Sequence, residues 1–303
     1  MTNLTVFQQQ LQAALPGITL RFSEPMSRHT SFRIGGPAAV MAFPKSSEEL
    51  AEILKKSALM DIKPAILGAG TNVLAPDDGI ENLVICLKDA LDGMELLPDN
   101  CIRVAAGVTM TRAAVFAANK GLSGLEFAHG IPGTVGGGVY MNAGAYGGEI
   151  VQVCHSVDVM SMDGTLRTFS CQEMGFSYRH SRLEDEGGIV VSAVFRLTPA
   201  EPDSIRATMQ DLMNRRKTSQ PLDLPSAGSA FKRPVGGYAA ALIDQAGLKG
   251  FAIGDAAVSQ KHAGFVVNLG DATALQVREL LAKVAELVKE NSGIQLEPEV
   301  RIW

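Results

Sequence analysis

The segment 129–148, HGIPGTVGGGVYMNAGAYGG, constrains this chain more than any other. Gly130, Gly133 and Gly136 recur at every third residue, Gly137 and Gly138 follow at once, and Asn142 and Gly144 lie just beyond. Residues without a Cβ let the backbone take positive φ and come close to a ligand. Successive N–H groups in such a turn can converge into a nest that holds an anion, a pyrophosphate among them. A second stretch of the same kind, Gly68-Ala69-Gly70-Thr71-Asn72, follows the apolar run 65–67. One such segment alone reads as a tightly packed turn, because short glycine patterns match by chance. Two in one half of the chain, each expected to follow a strand, favour a phosphate-bearing cofactor.

A chain of 303 residues is expected to form two or three domains. Apolar residues make up 46% and charged residues 19%, an ordinary globular balance. The formal net charge of −5 argues against a nucleic-acid binder, which carries a basic footprint. The opening MTNLTVFQQQLQAALPG lacks the charged start and long apolar core of a signal peptide. No apolar run approaches the roughly 20 residues that cross a bilayer. The expectation is a cytoplasmic protein with neither a membrane nor a nucleic-acid partner.

Cys86, Cys101, Cys154 and Cys171 lie far apart, without the close pairs of a zinc or redox site, and are expected to be reduced and mostly buried. Histidines 29, 129, 155, 180 and 262 show no ligand spacing, so no metal is expected. Redox chemistry in such a chain must come from a bound organic cofactor.

Ser46 and Glu49 give a capping-box signal, with Leu50, Ile53, Leu54 and Ala58 marking one helical face. The stretches 65–67, 83–87, 102–106, 156–160, 166–169 and 189–197 read as strands. In the last, Ile189, Val191, Ala193, Phe195 and Leu197 share a face opposite Ser192 and Arg196. Helices are expected at 109–119, with Gly121 as its left-handed cap, and from Ile205 to the Arg215-Arg216-Lys217 cluster. Two more follow at 239–246 and 273–290. The stretch TPAEP at 198–202 has the composition of a domain junction. Strands and helices mix without regular βαβ alternation, which favours α+β over a doubly wound sheet.

Three further segments are rich in polar groups. Phe176-Ser177-Tyr178-Arg179-His180-Ser181 sets an arginine among aromatic and small residues, with Tyr178, like Tyr238, read as a core or wall residue. Gly228-Ser229-Ala230-Phe231-Lys232-Arg233-Pro234 presents a serine beside two cations. The C-terminus, LEPEVRIW, alternates like a strand: Leu296, Val300 and Ile302 on one side, Glu297, Glu299 and Arg301 on the other. No G-x-S-x-G elbow surrounds Ser229, so a hydrolase is excluded.

In order along the chain, GAGTNVL, GIPGTVGGGVYMNAGAYG, YRHS, RRKTSQP, GSAFKRP and LEPEVR resemble the UDP-N-acetylenolpyruvoylglucosamine reductase family, in its shorter type. The resemblance implies an α+β protein with a PCMH-type FAD-binding domain, like the vanillyl-alcohol oxidase group, and a C-terminal α+β substrate domain. The implied limits are 1–82 and 83–199 for the two FAD-binding parts and 200–293 for the substrate domain, with 294–303 returning to the active site. FAD is implied to be noncovalent, with NADPH as co-substrate, a UDP-sugar as substrate, and a monomeric enzyme of peptidoglycan precursor synthesis.

The resemblance also implies roles. Gly68, Ala69, Gly70, Thr71 and Asn72, with Gly130, Ile131, Pro132, Gly133, Thr134, Gly136, Gly137, Asn142 and Gly144, would hold the FAD. Ser229 would protonate carbon, and Arg179 and Glu299 would stabilise the intermediate. The chain ends shortly after Glu299, so strand pairing is expected to place that carboxylate. Lys217 and Lys232 are candidates for the substrate's diphosphate, although Lys217 reads equally well as a helix-end cation. Asn268 would line the substrate pocket or form a turn. Two other readings remain: an FAD-dependent sugar or hydroxy-acid oxidase on the same flavin domain, and a nucleotide-binding module without catalysis.

Overall fold

The computed structural model describes residues 3–303, which fall into two compact units. The first comprises Met1–Phe22, Val40–Ala69 and Asn82–Asn214; the second comprises Ser23–Ala39, Gly70–Glu81 and Arg215–Trp303. The expected limits cut the chain differently, and their first two residues lie outside the described ones. Compactness follows contacts rather than chain order, so two short N-terminal segments join the C-terminal unit and residues 200–214 join the first.

The first unit holds two sheets. A four-stranded sheet runs in the order Thr19–Pro25, Pro37–Phe43, Ile80–Cys86, Ala65–Leu67, with the last two parallel. Phe7, Leu11, Leu50, Ile53 and Leu54 are fully buried from the helices Asn3–Ala14 and Ser47–Leu59 in one core with Val40, Leu83 and Ile85. Ser46 caps the second helix through Glu49 N–H at 3.2 Å. Its fourth inward position is Ser57 rather than the exposed Ala58; the Ser57 hydroxyl donates to Ile53 O at 2.8 Å.

The second sheet is antiparallel: Leu166–Ser170, Cys154–Met160, Ile189–Arg196, Cys101–Ala105, Met94–Leu97. Its middle strand does not have the expected polar face. Flanked by two neighbours and buried on both sides, Ile189–Arg196 exposes only Arg196, while Ser192 donates to Asp158 at 2.6 Å. A shift in register between Asp158 and Val159 further breaks the simple alternation.

The second unit is built on an antiparallel sheet ordered Ser226–Ser229, Phe265–Asn268, Ala256–Val258, Ala252–Ile253. The helix Ala274–Ser292 packs against its last two strands, burying Val277, Leu280, Leu281, Val284 and Val288 as their spacing predicts. Asp77 accepts from the first amides of that helix, Ala274 at 2.7 Å and Leu275 at 3.1 Å. Only Arg301–Ile302 of the expected C-terminal strand is regular, parallel to Val73–Leu74, and Ile302 is exposed. The fold is α+β throughout. Among the described residues no helix is long and apolar enough to cross a membrane, and no cluster of His, Cys, Asp and Glu is arranged to hold a metal. All four cysteines are free, and burial beside Cys171 pushes the Cys154 thiol up to about 12.

Candidate active site

The glycine-rich segment 129–148 is less of a loop than its composition predicts. It follows the short 3₁₀ turn Glu126–Ala128 rather than a strand, and Val135–Tyr140 form a helix capped by Thr134. Glycine inside a helix costs roughly 0.5–1 kcal/mol relative to alanine. Here the cost follows from close packing: a Cβ on Gly136 would lie 2.9 Å from that of Ala106, and one on Gly138 would lie 2.7 Å from Met110 Sδ. Gly136 N–H donates to Ala106 O at 2.9 Å and is spent on the fold. Gly137 is different; a Cβ there would meet only Thr134 Oγ1, at 3.8 Å.

The turns before this helix do offer backbone. Gly130 has φ 82° and donates to Thr111 Oγ1 at 3.1 Å, Ile131 N–H is returned to Ala128 O, and Pro132 is exposed. Gly133 has φ 134°, which favours glycine. Gly68 faces the same place, because a Cβ on it would lie 2.6 Å from Thr134 Oγ1. Among the described residues the amides of Ala69, Gly133 and Thr134 have no acceptor, and the buried Nδ1 of His129 has no partner. Amides left in this state, half-buried at Ala69 and Gly133 and buried at Thr134, call for an outside acceptor. His129 was missed from the sequence because a lone histidine carries no spacing signal; its position directly before the glycine run is the clue.

Arg179 occupies a tight turn. Ser177 and His180 exchange both backbone hydrogen bonds, at 3.1 and 3.2 Å, leaving Tyr178 and Arg179 at the tip with Arg179 at φ 55°. The guanidinium lies 5.2 Å from the Tyr178 ring centre and donates to Gly144 O at 3.3 Å. Tyr178 is thus exposed beneath a cation rather than part of a core. Asn142, fully buried, donates to Ser177 O and Glu149 Oε2, each at 2.9 Å, and accepts from Val151 N–H at 3.0 Å. Both amide hydrogens of Asn142 are therefore committed within the protein.

In the second unit, two chain segments run beside each other. Glu299 N–H donates to Ala230 O at 2.9 Å, Lys232 N–H donates to Glu297 O at 2.9 Å, and Phe231 bridges Pro298. Glu299 thereby lies opposite Ala230, the residue that follows Ser229. Asn72 grips the same strand, donating to Glu299 O at 3.2 Å and accepting from Arg301 N–H at 2.9 Å. Asn72 thus joins the C-terminal strand, and Gly70 owes its identity to His29 O, which a Cβ would meet at 2.1 Å. Ser229 is exposed, follows Gly228 at φ 76°, and its hydroxyl has no partner among the described residues.

The cations are placed unequally. Lys232 is ion-paired with Glu297. Lys217 is exposed in the last turn of Pro202–Ser219, and its carbonyl receives Lys261 Nζ at 2.7 Å. Arg233 stacks 4.7 Å from the ring centre of Tyr238, which is exposed. Asn268 is buried, donating to Phe32 O at 3.1 Å and accepting from Gly270 and Ala272. Its carbonyl oxygen holds the turn at 268–272.

Residues 37–170 match the FAD binding domain family, and residues 220–303 match the family described as UDP-N-acetylenolpyruvoylglucosamine reductase, C-terminal domain. A UDP-N-acetylenolpyruvoylglucosamine reductase of Agathobacter rectalis is 45% identical over 98% of both chains. Its namesake in Lactococcus lactis subsp. cremoris is 46% identical over 95% of this chain and 96% of its own. The crystal structure of UDP-N-acetylenolpyruvylglucosamine reductase from Thermus caldophilus superposes with a TM-score of 0.80 at 36% identity, covering 94% of this chain and 98% of that one. The first unit therefore carries the PCMH-type FAD-binding domain. Its unpartnered amides at Ala69, Gly133 and Thr134, around a glycine where a Cβ would collide, fit a diphosphate. With relatives this similar along nearly its whole length, the chain belongs to the UDP-N-acetylenolpyruvoylglucosamine reductase family.

Proposed function

We propose that this protein reduces the enolpyruvyl ether of UDP-N-acetylglucosamine to UDP-N-acetylmuramate, with FAD as its bound cofactor and NADPH as the reductant. The observation that carries the reading is the pairing of 230–232 with 297–299, which ties the segment bearing Ser229 to the segment bearing Glu299 in a chain of this family. Bound FAD would supply the hydride chemistry that no side chain here can, between NADPH and C3 of the enolpyruvyl group. Ala69, Gly133 and Thr134 would hold its diphosphate through their amides, with His129 and Gly137 nearby in the chain.

The remaining chemistry belongs to side chains. Hydride arrival at C3 builds negative charge on C2 and on the attached carboxylate. Arg179 meets that carboxylate with a planar fork, which forms stronger pairs than a point charge does. Fixed donors aimed at developing charge are commonly the largest catalytic contribution. Ser229 delivers the proton to C2. A serine is a weak acid, so a water relay returns the proton it gives up, and Glu299 stabilises the intermediate. Lys217 is the better candidate of the two lysines for the substrate diphosphate, since it is exposed and not paired with a carboxylate. The enzyme acts as a monomer in the cytoplasm, where its nucleotide-sugar substrate and reduced nicotinamide are both at hand.

Anaerobic absorbance tests the reading. NADPH should bleach the purified yellow protein, and the enolpyruvyl substrate should restore the colour with UDP-N-acetylmuramate as product. Bleaching by an alcohol substrate instead of NADPH would make it an oxidase, and colourless protein with bound nucleotide would make it a binding module.

A further inference from the structure

We propose that Asn142, together with Ser181, positions Arg179 for the reduction rather than holding FAD. The inference rests on the catalytic place given to Arg179 above. The turn that carries it is short and conformationally demanding, because Arg179 has a φ of 55° that side chains rarely adopt. Such a conformation persists only where the surroundings over-determine it.

The surroundings do so from both sides of the turn. On the entry side, Asn142 Nδ2 donates to Ser177 O at 2.9 Å. On the exit side, the hydroxyl of the fully buried Ser181 donates to Tyr140 O at 2.7 Å. Both anchors come from one short stretch, the end of the helix Val135–Tyr140 and the residues just after it. That stretch is itself fixed: Asn142 also bonds Glu149 and Val151, and Glu149 caps the 3₁₀ turn Ile150–Gln152. Two residues beyond Asn142, Gly144 O receives the guanidinium at 3.3 Å. One segment therefore sets both the backbone that bears Arg179 and the direction of its head group. The asparagine suits the place twice over, since its own φ is 41° and this side chain tolerates the left-handed region.

The test compares three variants in anaerobic stopped-flow absorbance: Asn142→Gly, which removes the side chain while accepting the positive φ, Arg179→Lys, and the double variant. Asn142→Gly should purify with a full complement of FAD and bleach with NADPH within about twofold of the parent. Its recolouring by the enolpyruvyl substrate should slow by at least about tenfold. In the Arg179→Lys background the same change should cost no more than about two- to threefold, because residues that act through one another are not additive. Loss of FAD from Asn142→Gly, equal slowing of both half-reactions, or full multiplication of the two penalties would overturn the proposal. Normal recolouring by Arg179→Lys would instead remove the catalytic role of Arg179 itself, an outcome that the single variant reads separately. Should Asn142→Gly fail to fold, Ser181→Ala releases the other anchor and must show the same selective, non-additive slowing.

Discussion

The turn that bears Arg179 and the paired segments that bear Ser229 and Glu299 solve the same problem by different means. In the first unit the placement is made by side chains: a buried asparagine, a buried serine and a guanidinium on a carbonyl. In the second it is made by backbone, through Glu299 to Ala230 and Lys232 to Glu297. Backbone pairing survives most substitutions of the residues involved, whereas a side-chain bracket fails with one change. The comparison predicts that the arginine's position is mutable from a distance and that of the serine is not.

Ser229→Ala gives the largest effect and tests the backbone-held half. The fold should be untouched, because the hydroxyl has no partner among the described residues. NADPH should bleach the flavin almost as fast as in the parent. Recolouring should slow by on the order of 10²–10⁴, the usual cost of losing a general acid. Equal slowing of both halves would signal damage to the protein, and normal recolouring would take Ser229 out of the chemistry. Arg179→Lys comes next, slowing the same half-reaction by on the order of 10²-fold through loss of the fork. Glu299→Gln should impair that step too; if it recoloured normally, the carboxylate would have no part in it.

A smaller effect separates two neighbouring glycines that look alike in sequence. Gly136→Val drives a branched side chain toward Ala106, only 2.9 Å from where a Cβ begins, and should destabilise the protein by about 1–3 kcal/mol in thermal unfolding. Gly137→Val meets only Thr134 Oγ1 and should keep the parent's melting temperature within a few degrees while binding FAD more weakly. If both variants lost stability equally, the distinction between a packing glycine and a cofactor glycine would be wrong.

That distinction marks where the sequence stops being legible. Periodicity placed the helix Ala274–Ser292 and its buried stripe, because one apolar face packed on one sheet leaves a clean 3.6-residue signature. It misjudged Ile189–Arg196, where a central strand buried on both faces has no polar side to display. The glycine run was visible as composition, but composition cannot say that Gly136 and Gly138 pack against Ala106 and Met110 while Ala69, Gly133 and Thr134 offer the amides. Asn72, Asn142 and Asn268 were all readable as ligand contacts. Each turned out to spend side-chain hydrogen bonds on chain remote in sequence or on its own turn, and long-range partners leave no local pattern.

The smallest expected effect probes the backbone-held half through pH. The ring of His262 accepts a hydrogen bond from Gly264 N–H at Nδ1, 3.1 Å away, and Gly264 O in turn receives Ala230 N–H at 2.8 Å, next to Ser229. Burial lowers the pKa of His262 below its ordinary value, and the charge of Lys249 adds to this. Below the ordinary value the unfolded chain takes up a proton that the folded protein refuses, so the unfolded state binds more protons there and stability rises with pH. The contribution is fully present above about pH 6.5 and is lost as the pH falls from there toward the lowered folded value. A protonated ring can no longer accept from Gly264, which identifies the bond that is given up. The difference in melting temperature between about pH 7.5 and pH 5.5 should therefore shrink in His262→Gln, whose side chain accepts a hydrogen bond without titrating. Parallel pH profiles for parent and variant would show that His262 stays neutral or stays uncoupled from the fold, and would leave the backbone beside Ser229 insensitive to acid.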